Sequence, residues 1–243
     1  MKKFLYRFIC FSIGLYCFLW CSNFNCFAFD KYTHEYVTKV ATSELKKINY
    51  NSSASFFDQN SEKILFEYST RPDIDENDGA FQWHFYNPAT EKNFKGKDIS
   101  AVTKFEEHYN NSIRYYKENN KEMSLQEIAR ALHFLEDLNT PVHTNAQSFT
   151  DAIIQFVMHS KFEELCNNVK NNYVCSMSLP ELYYYRYNST KTIAILSANL
   201  ANENFFAMQS QVLTKSEVAG NSIINAQKAA CGTLAKYLTD IYK

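Results

Sequence analysis

His133-Phe134-Leu135-Glu136-Asp137-Leu138-Asn139-Thr140-Pro141-Val142-His143, followed by His159-Ser160-Lys161-Phe162-Glu163, is the stretch on which the reading of this chain turns. It holds two pairs, His133/Asp137 and His159/Glu163, each spaced i, i+4. On a helix that spacing stacks both side chains on one face, about 5–6 Å apart at Cβ, so both can reach one ion. Imidazole nitrogens and carboxylate oxygens are ligands that zinc accepts. His143 stands between the pairs, just past Pro141, where a helix is expected to end or restart. One such pair alone is more often a surface pair. Two pairs and a further histidine on otherwise apolar segments point to metal.

Working outward, more donors come into view. Apolar residues at Val37, Val40, Ala41 and Leu45 recur at helical period, which predicts a helix over about 33–48 with His34 in its first turn. A polar stretch, 51–60, reads as a loop and 61–68 as a short helix. Arg71-Pro72-Asp73 breaks that helix, and an irregular segment through Asp75, Asp78 and Gly79 leads to Gln82-Trp83-His84-Phe85-Tyr86-Asn87-Pro88. Asp73 and His84 are thus expected on irregular backbone, where binding groups often sit, and Asp75 and Asp78 as solvated turn formers. A long helix follows over about 99–119. It carries His108, whose neighbours Glu106, Glu107 and Asn110 suggest solvent exposure, so His108 is left out of the site. Ser124-Leu-Gln-Glu127 reads as a capping box that starts the helix carrying His133 and Asp137. Another helix, 152 to about 173, holds His159 and Glu163, and 179–243 reads as two or three more.

No alternating strand pattern of any length appears, and Gly (5) and Pro (4) are scarce in 243 residues. The fold class is therefore all-α, a compact multi-helix bundle with its site between facing helices. The first 28 residues read as a signal peptide: Lys2, Lys3 and Arg7 precede an apolar run from Phe8 to Trp20, and Cys26-Phe27-Ala28 ends it with small residues at −3 and −1. The run is short of the ~20 residues that span a bilayer. Cleavage after Ala28 leaves 243 − 28 = 215 residues, 29–243, expected to form one domain and to be secreted or periplasmic. The charge of that part is 22 − 26 = −4, which gives no electrostatic footprint for nucleic acid. Three cysteines remain, and export permits a Cys166–Cys175 disulfide with Cys231 left over.

Five histidines (His34, His84, His133, His143, His159) and three carboxylates (Asp73, Asp137, Glu163) are too many for one tetrahedral zinc and suit two or three. Such a cluster can clamp the oxygens of a phosphate ester and supply hydroxide near neutral pH. No Gly-rich phosphate loop, no Gly-x-Ser-x-Gly elbow and no cysteine pair at zinc-ribbon spacing competes with it.

Taken in order, His34, Pro72-Asp73, His84-Phe-Tyr-Asn-Pro, His133-x-x-x-Asp137-x-x-x-Pro141-x-His143 and His159-x-Lys-Phe-Glu163 resemble the bacterial zinc-dependent phospholipase C family. That family includes the phosphatidylcholine-hydrolysing enzyme and the catalytic domain of clostridial alpha-toxin. The resemblance runs from Phe29 to about Tyr173. It implies an all-α fold with three zinc ions. Asp73, His84, His133 and Asp137 would hold the first, and His143, His159 and Glu163 the second. The third would take His34, Asp137 as a bridge, and the α-amino nitrogen and carbonyl oxygen of Phe29, where the family usually has Trp. The implied reaction is phospholipid hydrolysis to diacylglycerol and a phosphorylated head group at a membrane surface, with Asp73 as candidate general base and the protein a monomer. Ile74 stands where an aromatic residue would help cage choline, so the head group is left open. Two other readings stay open: a single-strand-specific zinc nuclease of the same fold, and a non-catalytic zinc-binding, membrane-associated protein.

Overall fold

The computed structural model describes residues 29–76, 81–145 and 149–243, with side chains from 159 onward in the last segment. The expected export segment, together with Asp78 and Gly79, lies outside the described residues. In chain order the helices are α1 (Lys31–Ile48), α2 (Ser53–Phe56), α3 (Gln59–Tyr68), α4 (Pro72–Asp75), α5 (Ala101–Lys117), α6 (Lys121–Leu138), α7 (Pro141–Thr144), α8 (Phe149–Val169), α9 (Leu179–Tyr187), α10 (Thr190–Gln209) and α11 (Lys215–Asp240). Short 3₁₀ turns lie at Tyr50–Ser52, Gln82–His84 and Lys170–Asn172. Among the described residues there is no β-strand, and no helix is long and apolar enough to cross a membrane. The all-α expectation is met.

The bundle is organised around α6. Its residues Leu125, Ile128, Ala129, Ala131, Leu132, Phe134, Leu135 and Leu138 are all buried, a wide apolar face rather than a narrow stripe. Every residue from Ala131 to Leu138 is buried, because α1, α3, α5, α10 and α11 all pack against the helix. Each fully buried Leu, Ile or Phe contributes about 1.5–3 kcal/mol, an upper bound set against an extended chain. Helix α5 joins it through the three residues 118–120, so the two form a helical hairpin. Asn120 caps α6 by accepting from the Met123 amide at 3.1 Å, and Thr140-Pro141 ends the run and restarts it as α7.

Several local expectations change. The capping box at Ser124 is not used: Ser124 lies inside α6, buried, donating to the Ser112 carbonyl and meeting the Tyr237 hydroxyl. A tertiary partner outcompetes the local cap. Asp73 and His84 are not on irregular backbone. Proline at the first position of α4 sets up one helical turn through Asp73, and His84 closes a 3₁₀ turn entered through Phe81 at φ 54°. Asp75 is solvent-exposed as expected but is the last residue of α4 rather than a turn former, and both its carboxylate oxygens pair with Arg130 at 2.7 Å. Cys166, Cys175 and Cys231 are buried free thiols, so the expected Cys166–Cys175 disulfide is not found. Each sulfur packs in the apolar core instead, and burial pushes the Cys175 thiol up to about 11.

Candidate metal centre

Six segments bring the donors together. Helix α1 starts on Asp30, whose carboxylate accepts from the Thr33 amide at 2.8 Å, and this places His34 one turn in. His34, Val37, Thr38, Ala41 and Leu45 form one buried stripe. Asp73 comes from α4, His84 from its 3₁₀ turn, His133 and Asp137 from α6, His143 from α7, and His159 and Glu163 from α8. All eight side chains are buried. Phe29 is fully buried as well and packs edge-on against the His34 ring, centroids 5.6 Å apart.

The histidine rings are held from outside. His34 Nδ1 lies 2.6 Å from Glu136 Oε2, His133 Nδ1 2.8 Å from the Ser69 carbonyl, and His143 Nδ1 2.7 Å from the His84 carbonyl. A carbonyl oxygen only accepts, so Nδ1 of His133 and His143 must be the donor, which leaves Nε2 turned inward. Metal-binding histidines have this arrangement, with one nitrogen anchored and the other offered to the ion. Inside the cluster, His133 Nε2 is 3.4 Å from Asp73 Oδ1 and 3.6 Å from Asp137 Oδ2. His34 Nε2 is 3.6 Å from Asp137 Oδ1, and His84 Nδ1 is 2.8 Å from Asp137 Oδ2.

Among the described residues, two groups each bring three donor atoms within 4.8 Å of one another: His34, His133 and Asp137, and Asp73, His84 and His133. His143, His159 and Glu163 form a neighbouring set. There His143 Nε2 and His159 Nε2 are 2.5 Å apart, and His159 turns Nδ1 to Glu163 at 3.3 Å.

The residues fit a cation. His34 Nε2, His84 Nε2 and Asp137 Oδ1 are buried without a hydrogen-bond partner, and a buried polar atom left so costs about 1–3 kcal/mol. Burial, aided by neighbouring histidines, holds His34 and His143 well below the usual imidazole range, and burial brings His159 down to about 3. Those three are neutral near pH 7, the form that ligates metal. His133 goes the other way: burial lowers it, but the Asp137 and Asp73 carboxylates carry it up to about 10. Without an ion, a proton on His133 balances the buried carboxylates. The all-nitrogen-and-oxygen donor set suits zinc.

The sequence reading misses two features here. Glu136, fully buried on α6, anchors His34 and accepts from the Thr38 hydroxyl at 3.0 Å. Its signal was a carboxylate three residues after His133 on an apolar helix. His108, expected in solvent, is buried. It lies on the inward stripe of α5 with Phe105 and Ser112, and its two ring nitrogens meet Glu127 and Glu76. It contributes to neither three-donor group.

No family model matches the chain. A phospholipase C from Listeria monocytogenes is 24% identical over 131 residues, covering 54% of this chain and 41% of that protein. One from Paraclostridium bifermentans is 33% identical over 134 residues, 48% of this chain and 32% of its own length. One from Clostridium novyi is 27% identical over 213 residues, 72% and 49%. The chain thus spans less than half the length of each of these relatives. Among solved structures, the alpha-toxin from Clostridium absonum superposes with a TM-score of 0.74 at 22% identity, covering 86% of this chain and 63% of the toxin. The Clostridium perfringens alpha-toxin from avian strain SWCP gives 0.72 at 20%, with the same coverage. The structural likeness establishes the fold, and the named relatives are consistent with a bacterial phospholipase C family at low identity.

Proposed function

We propose that this chain is an exported, zinc-dependent phospholipase C that hydrolyses the glycerol-side phosphodiester of phospholipids. The observation that carries the reading is the set of buried imidazoles anchored at one nitrogen and converging at the other on Asp73 and Asp137. Asp73, His84, His133 and Asp137 would hold a first zinc, and His143, His159 and Glu163 a second. His34, Asp137 and the backbone of Phe29 would hold a third, which is supported by the packing of Phe29 on His34. Bound zinc supplies Lewis-acid polarisation of the phosphodiester and hydroxide near neutral pH.

The chain's own groups have distinct work. Asp73, on the helical turn α4, would take a proton from the attacking water. His34, His143 and His159 stay uncharged and keep their lone pairs available. Glu136 and the Ser69 and His84 carbonyls fix ring orientation, so little is reorganised when substrate arrives. The partner is a phospholipid surface. Removal of 1–28 would expose the Phe29 amine, so export and completion of the site would be one event.

The test is hydrolysis by protein beginning at Phe29, against phosphatidylcholine vesicles and single-stranded DNA in parallel, before and after chelation and zinc add-back. Zinc-restorable release of phosphocholine with DNA intact is the expected result. Cleaved DNA with inert lipid would make it a nuclease. Silence on phosphatidylcholine and on other head groups, with zinc bound, would make it a binding protein.

A further inference from the structure

We infer that His108 is a positioning residue for the turn that carries Asp73, acting as a buried bridge between that turn and α6. This rests on the proposed role of Asp73. His108 projects from α5 into the space between two carboxylates, with Nδ1 2.8 Å from Glu127 Oε2 on α6 and Nε2 2.9 Å from Glu76 Oε2 just after α4. A carboxylate facing a ring nitrogen at that distance accepts, so both nitrogens must donate and the ring is an imidazolium. Glu76 follows Asp73 by three residues, and its amide closes α4 by donating to the Pro72 carbonyl at 2.9 Å. A restraint on Glu76 is therefore a restraint on the whole Pro72–Asp75 turn.

Carboxylates outnumber cations around the bridge, which favours a protonated His108. Glu76 also meets Lys104 of α5 at 2.9 Å and Arg130 of α6 at 2.6 Å, and Arg130 holds Asp75 through both oxygens. Lys104 reaches the more exposed Glu107 as well. Asp75, Glu76, Glu107 and Glu127 set against Lys104 and Arg130 leave two negative charges, one of which the imidazolium balances. Burial lowers the His108 pKa, but the two carboxylates outweigh it and hold the group above its ordinary value. The ring also lies parallel to Phe134, centroids 5.7 Å apart and planes 4° apart, and Phe134 touches the His84 and His133 rings from its other contacts. The bridge thus meets the centre twice, through the Asp73 turn and through the ring behind two histidines, without itself reaching an ion.

The experiment is amide exchange of the chain from Phe29, with chelator present so that no ion helps to hold the turn. The amides of Ile74, Asp75 and Glu76 are read against those of Leu132 and Leu135 on α6. In His108→Phe, which keeps a ring against Phe134, the turn amides should exchange about 10–100-fold faster while α6 is unchanged, as loss of charge-assisted hydrogen bonds implies. His108→Gln, with a single donor nitrogen in place of two opposed ones, should fall between. Raising pH until the imidazolium deprotonates should release the wild-type turn but not the variant's, after correction for intrinsic exchange. Zinc competition against a chromophoric chelator should show His108→Phe binding about tenfold or more weaker. Unchanged turn protection would overturn the proposal, as would equal loss across α6 in both variants. Released turn amides in a chain whose wild type binds no zinc would leave the bridge standing and remove the metal reading instead.

Discussion

Glu136 should separate two quantities that usually travel together: the stability of the metal-free fold and, under the proposed function, the affinity of the centre for zinc. Its carboxylate is fully buried, accepts from Thr38 at 3.0 Å and lies 2.6 Å from His34 Nδ1. Burial pushes its pKa well above the ordinary carboxylate range, so keeping it charged without an ion is unfavourable. Replacement by alanine leaves the His34 nitrogen and the Thr38 hydroxyl without that partner. Two such groups at about 1–3 kcal/mol each give about 2–6 kcal/mol of destabilisation. The relief of removing a buried acid offsets part of this. Glu136→Gln keeps the shape and an acceptor for His34 Nδ1–H while removing the charge, so its metal-free stability should equal or exceed wild type.

Zinc affinity should follow a different order. If Glu136 acts by orienting His34, Glu136→Ala loses about 10–100-fold in affinity and Glu136→Gln much less. If it acts by its charge alone, the two variants lose equally. Urea unfolding in chelator gives the first quantity, and competition against a chromophoric chelator gives the second. Wild-type affinity in Glu136→Ala, with His34 still ligating, would refute the orienting role.

Two other outcomes are expected. Gly232 lies mid-helix in α11, where alanine ordinarily stabilises by about 1 kcal/mol, but an added Cβ would run into the Tyr185 ring. Gly232→Ala should therefore destabilise by about 1–3 kcal/mol and recover in a Tyr185→Ala background, measured by urea unfolding. For the metal-free protein, the raised His108 pKa adds stability that is complete below its ordinary 6.5 and lost as pH rises through the folded value. The depressed Glu76 pKa adds stability that is complete above its ordinary 4.5 and lost as pH falls through the folded value. The stability gap between wild type and His108→Phe should be widest between about 4.5 and 6.5 and narrow on the alkaline side, read by urea unfolding across pH.

Four of the candidate donors, His133, Asp137, His159 and Glu163, could be read from spacing, because a histidine paired with a carboxylate at i, i+4 carries its chemistry in its residue type. His34 could be read from the period of its helix, whereas Asp73, His84 and His143 were marked by residue type rather than by helical period. The outer partners are of two kinds. The Ser69 and His84 carbonyls that anchor His133 and His143 leave no trace in residue identity, since any residue offers a carbonyl. Glu136 and His108 did leave one. In α5 the buried residues Ala101, Phe105, His108 and Ser112 step by four, three and four, which puts His108 on the inward stripe whatever its sequence neighbours are. Reading Glu106, Glu107 and Asn110 as its surroundings weighted chain adjacency over helical geometry. The same periodicity that located the centre also contains its supports, provided that a polar residue on an apolar stripe is taken as a demand for a partner rather than as a sign of exposure.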